Sequence, residues 1–118
     1  MTYEISTTGN GVHRLTIGGQ LDAVSVPELR PTLDKLVDLQ PRRVEVDLSR
    51  LRMIDSSGVG ALVSIYKRVR AQGGQVVVLG LQDQPLAIFK LLRLDRVMVA
   101  DANTTPSPAV TTTQTSRN

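Results

Sequence analysis

The residues most able to carry chemistry lie in one run, Met-Ile-Asp-Ser-Ser-Gly-Val-Gly at residues 53–60. Asp55, Ser56 and Ser57 all have side chains suited to the N-terminus of a helix. The two glycines that follow leave the backbone open to close approach by another surface. Each glycine also costs a helix about 1 kcal/mol relative to alanine. The run therefore has two interpretations from its residues alone: a plain helix cap, or a contact site for another molecule.

Most reaction chemistries lack the residues that they need. The chain has no cysteine and one histidine, His13, so it has no thiolate nucleophile, Cys-ligated metal or histidine cluster for zinc. A serine hydrolase would need a Gly-x-Ser-x-Gly elbow with a histidine base. A phosphate-binding loop would need Gly-x-x-x-x-Gly-Lys followed by Ser or Thr. Neither pattern is present, so we expect a binding protein with no catalytic residue, metal or cofactor, and not an enzyme.

Composition narrows the class further. The 118 residues are 41% hydrophobic and 21% charged, which is typical of one soluble globular domain. The net charge of +3 is spread along the chain and interleaved with acids, so we expect no nucleic-acid partner. No apolar run reaches the roughly 20 residues that span a bilayer. The first residues lack the pattern of a signal peptide, which predicts a cytoplasmic protein.

The elements that must position residues 53–60 follow from hydrophobic periodicity. A Gly-Asn-Gly turn at residues 9–11 predicts an opening hairpin. Beyond it, strands and helices alternate, which predicts parallel strands joined by right-handed crossovers. We expect strands at 3–7, 12–17, 44–48, 75–79 and 97–100, and helices at 25–40, 58–71 and 83–92. Pro31 would remove one backbone hydrogen bond of the first helix, so that helix either starts later than Ser25 or kinks at Pro31.

The predicted fold class is α/β, a small mixed sheet of four to five strands with helices mainly on one face. Glu45 and Asp47 alternate with apolar residues, which predicts that the other face meets solvent. Ser25, three residues before Glu28, has the spacing of a capping box at the start of the first helix. We place the domain at residues 1–102 and expect the Thr/Pro/Ser-rich residues 103–118 to form a disordered tail.

Three segments resemble the STAS domain family, and within it the anti-sigma factor antagonists of bacteria. Residues 19–22 are similar to a Gly-x-Leu-Asp motif, residues 44–48 to the central strand, and residues 53–62 to an Asp-Ser-Ser-Gly-(Leu/Val)-Gly signature. The resemblance covers about residues 3–100. It implies a STAS-like fold and a cytoplasmic, partner-switching regulator of transcription that exists as a monomer or weak dimer.

The resemblance also implies a modification and a set of partners. The serine after the aspartate, here Ser56, is the phosphorylated residue in that family. The implied partners are an anti-sigma factor that is a serine kinase and carries the ATP itself, and a PP2C-type phosphatase. The unphosphorylated form binds the anti-sigma factor and frees a sigma factor, and phosphorylation abolishes binding. The expected partner-binding residues are Asp22, Asp55, Ser57, Gly58, Val59 and Gly60. The alternative is a non-phosphorylated STAS adaptor subunit of a transport or signalling complex.

Overall fold

The computed structural model describes residues 1–98 and the strand at residues 112–117. Apolar residues at alternating or helical spacing place the elements close to where the sequence predicts them. The elements are β1 (Thr2–Gly9), β2 (Val12–Leu21), α1 (Val26–Asp38), β3 (Arg43–Ile54), α2 (Ser56–Ala71), β4 (Gln75–Leu79), α3 (Asp83–Leu91), a 3-10 turn (Leu94–Arg96) and β5 (Thr112–Arg117).

The strands form one mixed sheet in the order β4-β3-β2-β1-β5. β2, β3 and β4 are parallel, whereas β1 is antiparallel to both of its neighbours. The crossovers through α1 and α2 move in the same direction across the sheet, so right-handed connections place both helices on one face. The two helices contact each other there. The predicted fold class is confirmed.

The core lies between this sheet face and the helices. Inward residues of β2 and β3 are almost all fully buried, because the side chains of a strand alternate between its two faces. Phe89 of α3, the one phenylalanine of the chain, is also fully buried. The central strands and helices contribute Leu15, Ile17, Val44, Val46, Leu48, Leu29, Leu36, Leu62, Ile65 and Val69 to the same cluster.

The expectation that Glu45 marks a solvated face is wrong. Its side chain points away from the helices, as the alternation predicts, but it is 0% exposed. The Glu45 carboxylate pairs with Arg14 at 3.0 Å and with Arg43 at 3.2 Å. A buried carboxylate needs such charged partners, since desolvating it alone is costly. Asp47, two residues on, is partly exposed.

The C-terminal region differs from the prediction. Residues 112–117 are not disordered but form β5, which pairs antiparallel with β1; Thr is abundant there and favours strands. The rest of the predicted tail, residues 103–111 and 118, lies outside the described residues. No strand begins at Val97. Instead, the carbonyl of Met98 accepts a hydrogen bond from the Val78 amide, and residues 99–100 lie outside the described part.

Candidate functional site

The site forms where β2 and β3 end side by side. The two strands are parallel, and their last paired residues are Leu21 and Ile54. The loop after β2, which begins at Asp22, therefore meets the junction between β3 and α2, which holds Asp55 and Ser56. Crevices at the carboxyl ends of parallel strands are the usual functional positions of such sheets. Two motifs more than 30 residues apart in sequence are thus brought together.

Gln84 fixes the end of β3. The pairing between β3 and β4 stops at Asp47 and Leu79, so Ile54 has no strand neighbour on that side. The Gln84 side-chain amide takes the place of one: its oxygen accepts from the Ile54 amide at 2.9 Å, and its nitrogen donates to the Ile54 carbonyl at 3.0 Å. Sequence analysis missed this contact, because nothing in the pattern of α3 indicates that one of its amides completes a strand.

Asp55 ties the two loops together. It is the N-cap of α2, and one carboxylate oxygen accepts from the Gly58 amide at 3.0 Å. The other oxygen accepts from the Ala23 amide of the β2–α1 loop at 3.2 Å. The Asp55 amide also donates to the Leu21 carbonyl. The predicted capping role is confirmed, and the bond to Ala23 adds a second, structural role that its position in the sequence does not reveal.

Asp22 organises its own loop. One carboxylate oxygen accepts from the amides of Val24 and Ser25, at 3.1 and 2.9 Å. The backbone hydrogen bond from Ser25 is the main cause that lowers the pKa of Asp22 below its ordinary value. The carboxylates of Asp22 and Asp55 thus both accept hydrogen bonds from backbone amides of the β2–α1 loop.

Ser25 does not form the predicted capping box. Although it precedes α1, its hydroxyl makes no cap hydrogen bond. It turns back instead, donates to the Gln20 carbonyl at 3.0 Å and accepts from the Asp22 amide at 2.9 Å. The Ser25 hydroxyl therefore bonds to the preceding loop and not to the start of α1, because a serine side chain can bond to backbone groups on either side of it in the chain.

Ser56 and Ser57 begin α2 and are both exposed. Within residues 1–98, neither hydroxyl is hydrogen-bonded. The first amides of a helix have no partner within it, and the helix dipole is positive at this end. An anion attached to either serine would therefore meet a favourable local field. The geometry offers an accessible hydroxyl in a place that tolerates a phosphate.

The two glycines of the motif differ in their surroundings: Gly58 is closely packed, whereas Gly60 is not. A Cβ at Gly58 would lie 2.4 Å from the Leu21 carbonyl oxygen and 2.7 Å from the Ile54 side chain, so packing excludes any larger residue. A Cβ at Gly60 would meet nothing within 4 Å, and Gly60 is exposed. Nothing among the described residues accounts for a glycine at position 60.

The remaining predicted residue, Val59, faces the core and is 8% exposed. Val59 therefore offers little surface to a partner, and neither does Gly58, which is also buried. Two apolar side chains at the site are exposed. Val24 in the loop after β2, which sequence analysis did not select, is 84% exposed, and Met53, the first residue of the run 53–60, is 49% exposed. Isolated apolar residues of this kind have no periodic signal, so they become visible only once the two loops are seen together.

His13 lies away from this site. It is near the start of β2 and is paired in register with Val44, whereas Ser56 follows the far end of the adjacent strand. Its ring nitrogen Nδ1 is hydrogen-bonded to the Thr7 hydroxyl at 3.3 Å, and burial lowers its pKa. Among the described residues, no group of three His, Cys, Asp or Glu side chains is placed to hold a metal ion. Within the same part of the chain, no helix is long and apolar enough to cross a membrane.

Comparison with known proteins agrees with the fold. A model of the STAS domain matches residues 5–111. The anti-sigma-B factor antagonist of Staphylococcus aureus is 27% identical over 99 residues, which cover 84% of this chain and 92% of that protein.

Solved structures share the architecture. An anti-sigma factor antagonist from Mycobacterium paratuberculosis superposes with a TM-score of 0.73 at 21% identity, over 87% of this chain and 88% of that one. The Bacillus cell fate determinant SpoIIAA in its phosphorylated form gives a TM-score of 0.68 at 20% identity, over 85% of this chain and 92% of that one. The chain belongs to the STAS domain family.

Proposed function

We propose that this protein is a cytoplasmic anti-sigma factor antagonist whose state is set by phosphorylation of Ser56. The unphosphorylated form binds an anti-sigma factor that is a serine kinase and carries ATP, and so releases a sigma factor. Phosphorylation at Ser56 abolishes binding, and a PP2C-type phosphatase restores it. The observation that carries the proposal is the exposed Ser56 hydroxyl at the start of α2, beside a glycine that packing does not require.

The relatives support the general role. Proteins named anti-sigma-B factor antagonist align with most of the chain, and SpoIIAA, which shares the fold, exists in a phosphorylated form. The motif at residues 55–58 is intact here. Ser56 is the serine that directly follows the capping aspartate, which is the position that the family resemblance assigns to the phosphate.

The phosphate acts at the interface in this proposal. It adds about −1.5 to −2 charges at pH 7, which the start of α2 tolerates. A partner that approaches closely over Gly60 would bury the Ser56 side chain. A buried charge left without a partner costs about 3–5 kcal/mol, which equals a loss of two to four decades in affinity. Asp55 lies next in the chain and adds repulsion.

Asp22 and Asp55 are positioning residues in this mechanism. Their carboxylates hold the β2–α1 loop against the start of α2, so they shape the surface that the kinase meets without taking part in its chemistry. Asp22→Asn and Asp55→Asn proteins are therefore expected to be phosphorylated more slowly than wild type. Rates equal to wild type for both would contradict this role.

A pull-down from native cell extract tests the switch, with wild type, Ser56→Ala and Ser56→Asp as baits and mass spectrometry as the readout. Ser49→Asp is a matched control, because Ser49 is also exposed and the same charge is added on β3. We expect a kinase-like anti-sigma factor with wild type, Ser56→Ala and Ser49→Asp, and its loss with Ser56→Asp. The same partners with all four baits would make Ser56 a helix-start residue only. Membrane-transport subunits among those partners would favour the adaptor function.

A further inference from the structure

A groove between α1 and α2 continues from the candidate site. It encloses about 300 Å³ and begins at Ser57 and Gly60. Most of its wall is made of small or apolar side chains. Because of its small volume, the groove has room for only one or two side chains of another molecule. Its described lining is Ala23, Val26, Pro27 and Arg30 from the loop and α1, and Ser57, Gly60, Ala61 and Ser64 from α2.

Arg30 is the one charged residue among the described residues that line this groove. Arg14 and Arg43 pair with Glu45, and Arg68 pairs with Asp34 at 2.8 Å. Asp34 lies one turn beyond Arg30 on α1, but its ion pair is with Arg68. Within residues 1–98, Arg30 forms no ion pair. The groove thus presents an exposed guanidinium with no acid of its own.

Two exposed apolar side chains lie near the groove in the chain: Val24 follows Ala23 of its lining, and Met53 comes four residues before Ser57. Val24 and Met53, at the ends of the loops that Asp55 joins, are exposed at 84% and 49%. A segment that covers Ser56 and Gly60 and enters the groove would therefore contact its small and apolar lining and meet one cation, Arg30. This combination of apolar contact and a single positive charge is suited to a segment that carries one acidic side chain among apolar ones.

We infer that the anti-sigma factor that docks over Ser56 places an Asp or Glu side chain in this groove, where its carboxylate pairs with Arg30. The inference rests on the proposed function and names the chemistry of the partner's contact. A guanidinium can hold a carboxylate through two parallel hydrogen bonds, which fixes orientation as well as charge. Arg30 then sets which anti-sigma factor is accepted, while Ser56 sets when.

The test measures the affinity of the purified anti-sigma factor, identified with the wild-type bait, for wild type, Arg30→Glu, Arg30→Leu and Ser56→Asp. Lys67→Glu is the matched control, because Lys67 is an exposed cation of α2 that does not line the groove. We expect Arg30→Glu to weaken binding about 10- to 100-fold, Arg30→Leu to weaken it less, and Lys67→Glu to change it less than about 2-fold. Thermal melting of each variant confirms that it is folded.

Charge reversal on the partner identifies the carboxylate. Replacing one acidic residue of the anti-sigma factor by lysine should restore binding to Arg30→Glu and weaken binding to wild type. Wild-type affinity for Arg30→Glu, with loss for Ser56→Asp, would overturn this inference and leave the proposed function intact. Wild-type affinity for Ser56→Asp would overturn the proposed switch, and the Arg30 variants would still decide whether an acidic contact exists.

Discussion

Replacing Gly60 by alanine should separate stability from binding. A Cβ at this position meets open space, and the residue is helical without a positive φ. Alanine is favoured over glycine within a helix by about 1 kcal/mol. Gly60→Ala should therefore raise the free energy of unfolding by roughly 0.5–1 kcal/mol. For a domain of this size, that corresponds to a melting temperature higher by about 2–6 °C.

Gly58→Ala is the matched control for this prediction. It adds the same methyl group two residues earlier in α2, but there the new Cβ would lie 2.4 Å from the Leu21 carbonyl oxygen. Overpacking of this kind costs roughly 1–3 kcal/mol, which exceeds the helix-propensity gain. Urea unfolding followed by circular dichroism should show opposite signs for the two alanine variants.

Gly60→Ala should weaken partner binding although it stabilises the fold. If a partner approaches the backbone of α2 there, the added methyl group separates the surfaces, and Gly60→Ala should bind the anti-sigma factor at least about 10-fold more weakly, or about 1.4 kcal/mol. A more stable Gly60→Ala protein that binds as tightly as wild type would refute the argument that glycine is kept for close approach. A less stable one would show that position 60 has an internal packing role.

Three further perturbations test the scaffold. Asp55→Ala removes the cap of α2 and the bond to Ala23, so urea unfolding should show a loss of about 1–2 kcal/mol; an unchanged midpoint would contradict the bridging role. Glu45→Leu removes the buried carboxylate that pairs with Arg14 and Arg43, and we expect a loss of about 3–5 kcal/mol; wild-type stability would show that these two ion pairs are dispensable. Burial lowers the pKa of His13 below its ordinary 6.5, so below pH 6.5 the unfolded chain binds the extra proton more readily. The free energy of unfolding should therefore decrease as the pH is lowered below 6.5, and it should decrease less steeply for His13→Gln than for wild type. Equal pH dependence of the two proteins would exclude His13 as the cause.

The sequence predicted the order of the elements from the opening hairpin to α3. Alternation of strands and helices predicted parallel neighbours, and parallel neighbours bring the ends of β2 and β3 together. Whether Asp22 and Asp55 lie close together could not be predicted, because it depends on the register of these two strands. The helix start was predicted within two residues, because Asp55, Ser56 and Ser57 all have side chains suited to the N-terminus of a helix.

What the sequence could not predict depends on tertiary contacts. Polar alternation at Glu45 has the same pattern whether the acid meets water or two arginines from its own and a neighbouring strand. The strand at Thr112–Arg117 lacks apolar periodicity, so its composition alone resembles a linker. It pairs with β1 and so covers an edge of the sheet that β1 would otherwise form. The bond from Asp55 to Ala23 depends on the lateral register of two strands, which periodicity does not fix.

The hydrogen bonds around Ser56 bear on how the proposed switch would be read. Asp55 bonds to Gly58 and Ala23 through its carboxylate, and Asp22 bonds within its own loop. None of these bonds uses the Ser56 hydroxyl. Phosphorylation would therefore break no contact among residues 1–98, and the helix terminus would receive the charge without strain. In the proposed switch, a phosphate that changes neither the fold nor the loop geometry acts through the contacts that it excludes, so the partner proposed to dock over Ser56 and Gly60 would read the signal.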